Sequence, residues 1–167
     1  MYQPYPAGSP GPVSTPQSAP PVPVTRAVGL MYAGAGLTVV WFVFSLLSVS
    51  AVKKAIHQAS PDLTPSQISS LGTALVAISA VLAVAGVGLW IWMAWANKRG
   101  KSWARIVATV LFGLFTVYLL LTLIQPHSGL GLLLIGITWL VGLGATVFLW
   151  QRESSAYFQA MSGRPRY

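Results

Sequence analysis

Residues 27–50 read AVGLMYAGAGLTVVWFVFSLLSVS, and no Asp, Glu, Lys, Arg or His interrupts them. Three further stretches, at 71–96, 106–124 and 129–150, share that character. A helix of about 20 apolar residues crosses the roughly 30 Å hydrocarbon core of a bilayer, and each stretch is of that order. A charged side chain at mid-depth is costly, so stretches this long and uncharged belong in lipid. The fold class follows: an all-α polytopic membrane protein, an antiparallel bundle of four transmembrane helices over residues 26–160. Residues 1–25 are predicted to be a disordered Pro-rich tail, and 161–167 a frayed end.

Composition agrees. Apolar residues make up 54% of the 167-residue chain and charged residues 7%. A soluble domain carries about a quarter of its residues as charges. The chain leaves no room for a separate soluble enzyme domain beside the spans. Its net charge is +8, with Asp62 and Glu153 the only acids. Such a balance in a soluble chain would suggest nucleic acid, but no base-stacking or groove-reading module accompanies it. The charges flank the spans instead, where they serve topology and lipid contact. Cysteine is absent, which excludes disulfides, thiolate metal sites and lipidation on Cys.

The tail, MYQPYPAGSPGPVSTPQSAPPVPVT, holds most of the prolines and no charge. Proline removes backbone donors and fixes φ, and too few apolar side chains remain for a core. Polyproline II character is expected, with a possible protein partner docking there. Arg26 marks membrane entry. The first helix runs past Lys53-Lys54 to about Ser60 for want of a breaker. Pro61-Asp62 turns the chain, and Thr64-Pro65-Ser66-Gln67 predicts a capping box with Pro at the first helical position. Helices 1 and 2 therefore form a hairpin whose tip stands above the bilayer.

At the far end of helix 2, Trp90, Trp92, Trp95 and Trp103 surround Asn97-Lys98-Arg99-Gly100-Lys101. Tryptophan favours the headgroup region, which sets the depth of both flanking helices. Gly100 suits the helix stop and Ser102 the next N-cap. Arg105 lies in the first turn after it, within snorkelling reach of water. Gln125-Pro126-His127-Ser128 makes an uncharged turn, and Gln151-Arg152-Glu153 ends the last span, with ESSAYFQAM a possible surface extension. One side of the membrane thus receives Arg26, Lys98, Arg99, Lys101, Arg105, Arg152, Arg164 and Arg166, the other Lys53 and Lys54. The positive-inside bias predicts a multi-pass plasma-membrane protein with both termini cytoplasmic.

Small residues let transmembrane helices approach closely. Gly34 and Thr38 on the first span, Ser79, Ala83 and Gly86 on the second, Thr109 and Gly113 on the third, and Thr138, Gly142 and Thr146 on the fourth form narrow stripes, predicted to be the packing faces. Their hydroxyls are expected to bond their own i−4 carbonyls rather than line a path. Trp41 and Trp139, away from the span ends, are expected to wedge between helices.

The chemical inventory is thin. Proton-coupled transport needs a titratable group inside the membrane, and the spans hold no acid or base of that kind. His57, Asp62 and His127 are the candidate metal ligands, scattered over two loops, so no metal or cofactor is expected. No His or Lys sits at the depth of the span serines to activate a nucleophile. These absences predict a protein that is not an enzyme. Lys98, Arg99, Lys101 and Arg105 are the candidate contact site for anionic lipid or an acidic partner, each cation contributing on the order of 1 kcal/mol at an anionic surface.

The stretch Trp95-Ala96-Asn97-Lys98-Arg99-Gly100-Lys101-Ser102-Trp103-Ala104-Arg105, behind a Pro- and Tyr-rich tail and four spans, resembles uncharacterised small four-span membrane proteins of actinobacteria. The resemblance implies a bacterial plasma membrane with an anionic inner face, and no catalytic residue. Two functions remain open at this point. One is an accessory or scaffolding membrane protein acting through its tail and basic loop. The other is an oligomeric transporter or channel component for neutral or hydrophobic solutes. No nucleic acid is expected as a partner, and the oligomeric state is left undetermined.

Overall fold

Residues 19–124 and 129–162 are described in a computed structural model of the chain. The tail through Ser18, the Gln125–Ser128 turn and the end from Gly163 lie outside them. Six helices follow in order: α1 Val22–Leu47, α2 Val49–Ala59, α3 Pro65–Lys98, α4 Ser102–Leu123, α5 Gly129–Leu149 and α6 Arg152–Ser162. Four of them, α1, α3, α4 and α5, are long and apolar enough to cross a membrane.

α1 begins four residues before Arg26. Pro21 is its extended N-cap and Pro23 sits in the first turn, where the missing N–H costs no hydrogen bond. The helix is interrupted at Ser48. Ser45 Oγ donates to Phe42 O at 2.7 Å and Ser48 Oγ to Phe44 O at 2.9 Å, and such back-bonding bends helices. What the sequence suggested as one helix to about Ser60 is therefore two, α1 and the exposed α2. Thr64 caps α3 with the reciprocal bonds of a capping box, Gln67 N–H to Thr64 Oγ1 and Thr64 N–H to Gln67 Oε1. At 34 residues α3 is about 50 Å long, well beyond a hydrocarbon core, so its first turns stand outside with α2. Lys53 of α2 lies across Gly72 of α3, its Cε 2.7 Å from where a glycine Cβ would stand.

The four spans form a ring in the order α3, α1, α5, α4, each neighbour antiparallel to the next. α1 packs most extensively, on α3 and α5, and the seam between α3 and α4 is the loosest of the four. Close approach falls where glycine leaves room. A Cβ on Gly34 would stand 2.7 Å from the Trp90 ring, and one on Gly142 would stand 3.0 Å from Phe112. Most side chains of the spans face outward; in the apolar window of α3 none is buried. These surfaces belong in hydrocarbon, where leucine and lipid tails are alike and small residues carry the packing.

The buried core lies at one end. Val24, Ala27, Val28 and Met31 of α1 meet Met93, Ala94 and Ala96 of α3, Ala104 of α4, Ala145 and Leu149 of α5, and Tyr157 and Phe158 of α6. α6 supplies the largest fully buried side chain, Phe158. The expected surface extension is thus a short helix folded back onto the bundle. Tyr157, Phe158 and Met161, at spacings of one and three, share one face of it and close this end.

Candidate functional site

The turn joining α3 to α4 sits at this packed end. Gly100 adopts φ +67°, the left-handed conformation that ends a helix after its C-cap. Gly100 N–H donates to Asn97 O and Lys101 N–H to Ala96 O. Lys101, not Ser102, is the N-cap of α4, and it makes no side-chain cap bond. Ser102 has moved inside because Gly100 reverses the chain within a single residue.

Aromatic rings hold the cations of the turn. The Arg99 guanidinium lies 3.9 Å from the Trp95 ring centroid, and Lys101 Nζ lies 5.0 Å from Trp95 and 5.9 Å from Trp103. Lys98 and Arg99 are exposed. Trp92 and Trp103 contact each other at 5.5 Å between centroids and bridge α3 to α4 just inside the turn. Indole faces attract cations without neutralising them, so the positive field of the turn stays directed outward.

Arg105 behaves differently. Its guanidinium lies 4.7 Å from the Trp150 ring and 5.5 Å from Phe158, and it donates to Ser155 Oγ at 3.2 Å. Its Nε is buried without a hydrogen-bond partner. Rather than snorkelling, it clamps α6 to α4 and α5. The four basic residues expected to act together thus divide into Lys98 and Arg99, exposed at the turn, Lys101, half-buried against its rings, and Arg105, engaged with α6. Trp150 also donates to Thr109 Oγ1 at 2.9 Å, which in turn donates to Arg105 O.

Asn97 is the polar residue that a reading by composition misses. It is fully buried, donating from Nδ2 to Met93 O at 2.9 Å and touching Met31 Sδ at 3.9 Å, while its Oδ1 has no partner. It stands where α1, α3 and the turn converge. In sequence it is grouped with the cations of the turn, and nothing local marks it as buried.

Beneath Asn97, the four spans enclose a cavity of about 270 Å³. Its walls include Met31 of α1, Leu89 and Met93 of α3, Ala108 and Phe112 of α4, and Ala145 of α5. Thr38, Gly86, Thr138, Gly142 and Thr146 from the small-residue stripes also reach it. The hydroxyls of Thr38, Thr138 and Thr146 donate to Gly34 O, Leu134 O and Gly142 O. The lining is overwhelmingly apolar. Ser79 donates to Val76 O, Ala83 is half-buried beside it, and Gly113 faces open space where a Cβ would meet nothing. Trp139 packs on Phe112 and donates to Thr116 Oγ1, whereas Trp41 is more exposed and pairs with Phe44. His57 and Asp62 stand at the opposite, hairpin end, and His127 falls outside the described residues.

No family model, curated protein or solved structure matches the chain.

Proposed function

We propose that this membrane protein is a non-enzymatic accessory or scaffolding component that works through contacts at its basic end. One observation carries the reading: Arg99 and Lys101 rest on the faces of Trp95 and Trp103 at the membrane boundary, oriented by rings rather than matched by carboxylates. Cations so placed attract the phosphates of anionic lipid or an acidic partner surface. The basic turn and the start of α1 share one end of the bundle, which supports a cytoplasmic location for both termini and a plasma-membrane home. The Pro-rich tail that precedes α1 and the basic turn then act together in docking. The test is cross-linking and affinity capture from native membranes with the full chain, with a variant lacking residues 1–18, and with K98Q/R99Q/K101Q. Loss of the same partners in both variants is expected; an unchanged set would overturn the reading.

A second reading, an oligomeric transporter or channel component for hydrophobic solutes, draws its support from the cavity. A monomeric protein in mild detergent that gives no solute flux from liposomes would dispose of it.

A further inference from the structure

We propose that the cavity within the ring of four spans, entered along the seam between α3 and α4, is a specific site for the acyl chain of one anionic phospholipid, whose phosphate is held at the basic turn. Three features converge on this occupant. The first is the position of the mouth. α3 and α4 form the loosest seam of the ring, and Leu89, which lines the cavity from α3, is 39% exposed. This seam is the side on which a cavity-lining residue is exposed, and it faces the bilayer in a protein whose spans cross one.

The second is depth. On α3 the cavity runs from Gly86 to Met93. At 1.5 Å per residue these positions lie about 20 and 9 Å below Arg99 along the helix axis. A lipid with its phosphate beside Arg99 places its glycerol and first methylenes over the upper ~9 Å, and its mid-chain at the level of the cavity. The Trp92–Trp103 pair spans the seam at the upper edge of the cavity, at the height amphipathic rings prefer. The third is complementarity. The walls are apolar, with the cavity threonines already bonded to their own helix, so the cavity offers an alkyl chain contact and a polar solute nothing. Lys98, Arg99 and Lys101 stand at the turn above the cavity, and they select an anionic head over a zwitterionic one.

The inference rests on the basic turn meeting anionic lipid, but it adds a chain bound inside the ring, which surface attraction does not require. Met31 distinguishes the two. It lines the cavity and is only 2% exposed, so a lipid merely surrounding the protein does not reach it.

The test uses the full chain in vesicles containing phosphatidylglycerol with a mid-chain diazirine, followed by peptide mass spectrometry after illumination. Adducts on Met31, Met93 or Phe112 are expected, and one phosphatidylglycerol per chain should survive gentle detergent extraction in native mass spectrometry. A108F, which fills the cavity, should cut both at least fivefold. K98Q/R99Q/K101Q should keep the internal adducts yet lose preference over phosphatidylcholine. Adducts confined to outward residues such as Leu82, Val84 and Leu114 in the unsubstituted chain overturn the chain site, whether or not A108F folds. Internal adducts with equal phosphatidylcholine and phosphatidylglycerol labelling overturn the headgroup assignment alone.

Discussion

The Tyr157 hydroxyl donates to the Lys98 carbonyl at 3.0 Å, tying α6 to the last turn of α3 across 59 residues of chain. The last carbonyls of a helix have no intrahelical donor, and this one receives a side chain from the C-terminal helix. The bond joins the basic turn to the element that closes the core. Y157F keeps the buried ring and removes the donor. A loss of about 1 kcal/mol is expected, read as a lower detergent melting temperature and faster hydrogen exchange in both α6 and the turn. Faster exchange in α6 alone would show that the bond does not couple them.

Gly100 is constrained twice. Its φ is +67°, and a Cβ would stand 2.7 Å from Met161 Cγ and 3.0 Å from the Tyr157 ring. G100A should cost about 1–2 kcal/mol from backbone conformation alone. M161A removes Met161 Cγ but leaves Cβ, 2.9 Å from the added methyl, so M161A added to G100A should recover only part of the steric cost. Melting of the three variants measures that part, and no recovery would show that the backbone conformation and Cβ set the loss.

Arg105 is predicted not to tolerate lysine. R105K preserves the charge but loses the planar stack on Trp150 and the reach to Ser155. A desolvated cation–π contact of this type contributes up to about 2 kcal/mol. R105K should release α6 to limited proteolysis about as readily as R105M does. Full protection in R105K would mean that charge, not shape, holds the clamp.

Two glycines two residues apart on α1 should respond with opposite sign. G34A drives a methyl into the Trp90 ring, whereas G36A points into open space. The first is expected to destabilise by about 1–3 kcal/mol through overpacking. The second is expected to be neutral or to stabilise by up to about 1 kcal/mol, because alanine is the better helix former. Paired thermal scans of the variants provide the check.

The absence of cysteine makes orientation directly measurable. S66C lies at the start of α3 on the hairpin end, and Q151C lies at the basic end. With the basic end in the cytoplasm, a membrane-impermeant maleimide should label S66C in intact cells and Q151C only after the membrane is opened. The reverse pattern would invert the topology.

The spans, their antiparallel order and the capping box at Thr64 were legible in the chain because each rests on local chemistry. Uncharged length selects lipid, breakers end helices, and a Thr-Pro-Ser-Gln start satisfies its own orphan donors. The basic turn was equally visible as a cluster of residue types. The division of its cations was not, since Arg105 differs from Arg99 only in what α5 and α6 bring to it. The burial of Asn97 was illegible for the same reason: adjacency to Lys98 in sequence says nothing of contact with Met31 from 66 residues away. The break at Ser48 lay within reach, in the Ser45 and Ser48 hydroxyls, but only the bent backbone shows that they outweigh helix continuity.

Sequence alone determined the solvent around this protein and the number of crossings, because the transfer of an uncharged apolar stretch into hydrocarbon depends on its length and composition. Tertiary structure alone decided which end is tightly packed, that α6 returns to seal it, and that a cavity remains beneath the turn. Those outcomes depend on shape: glycine gaps matched to Trp90 and Phe112, and a Phe158 ring filling the space where four helices converge. No local pattern encodes a fit between surfaces so distant along the chain.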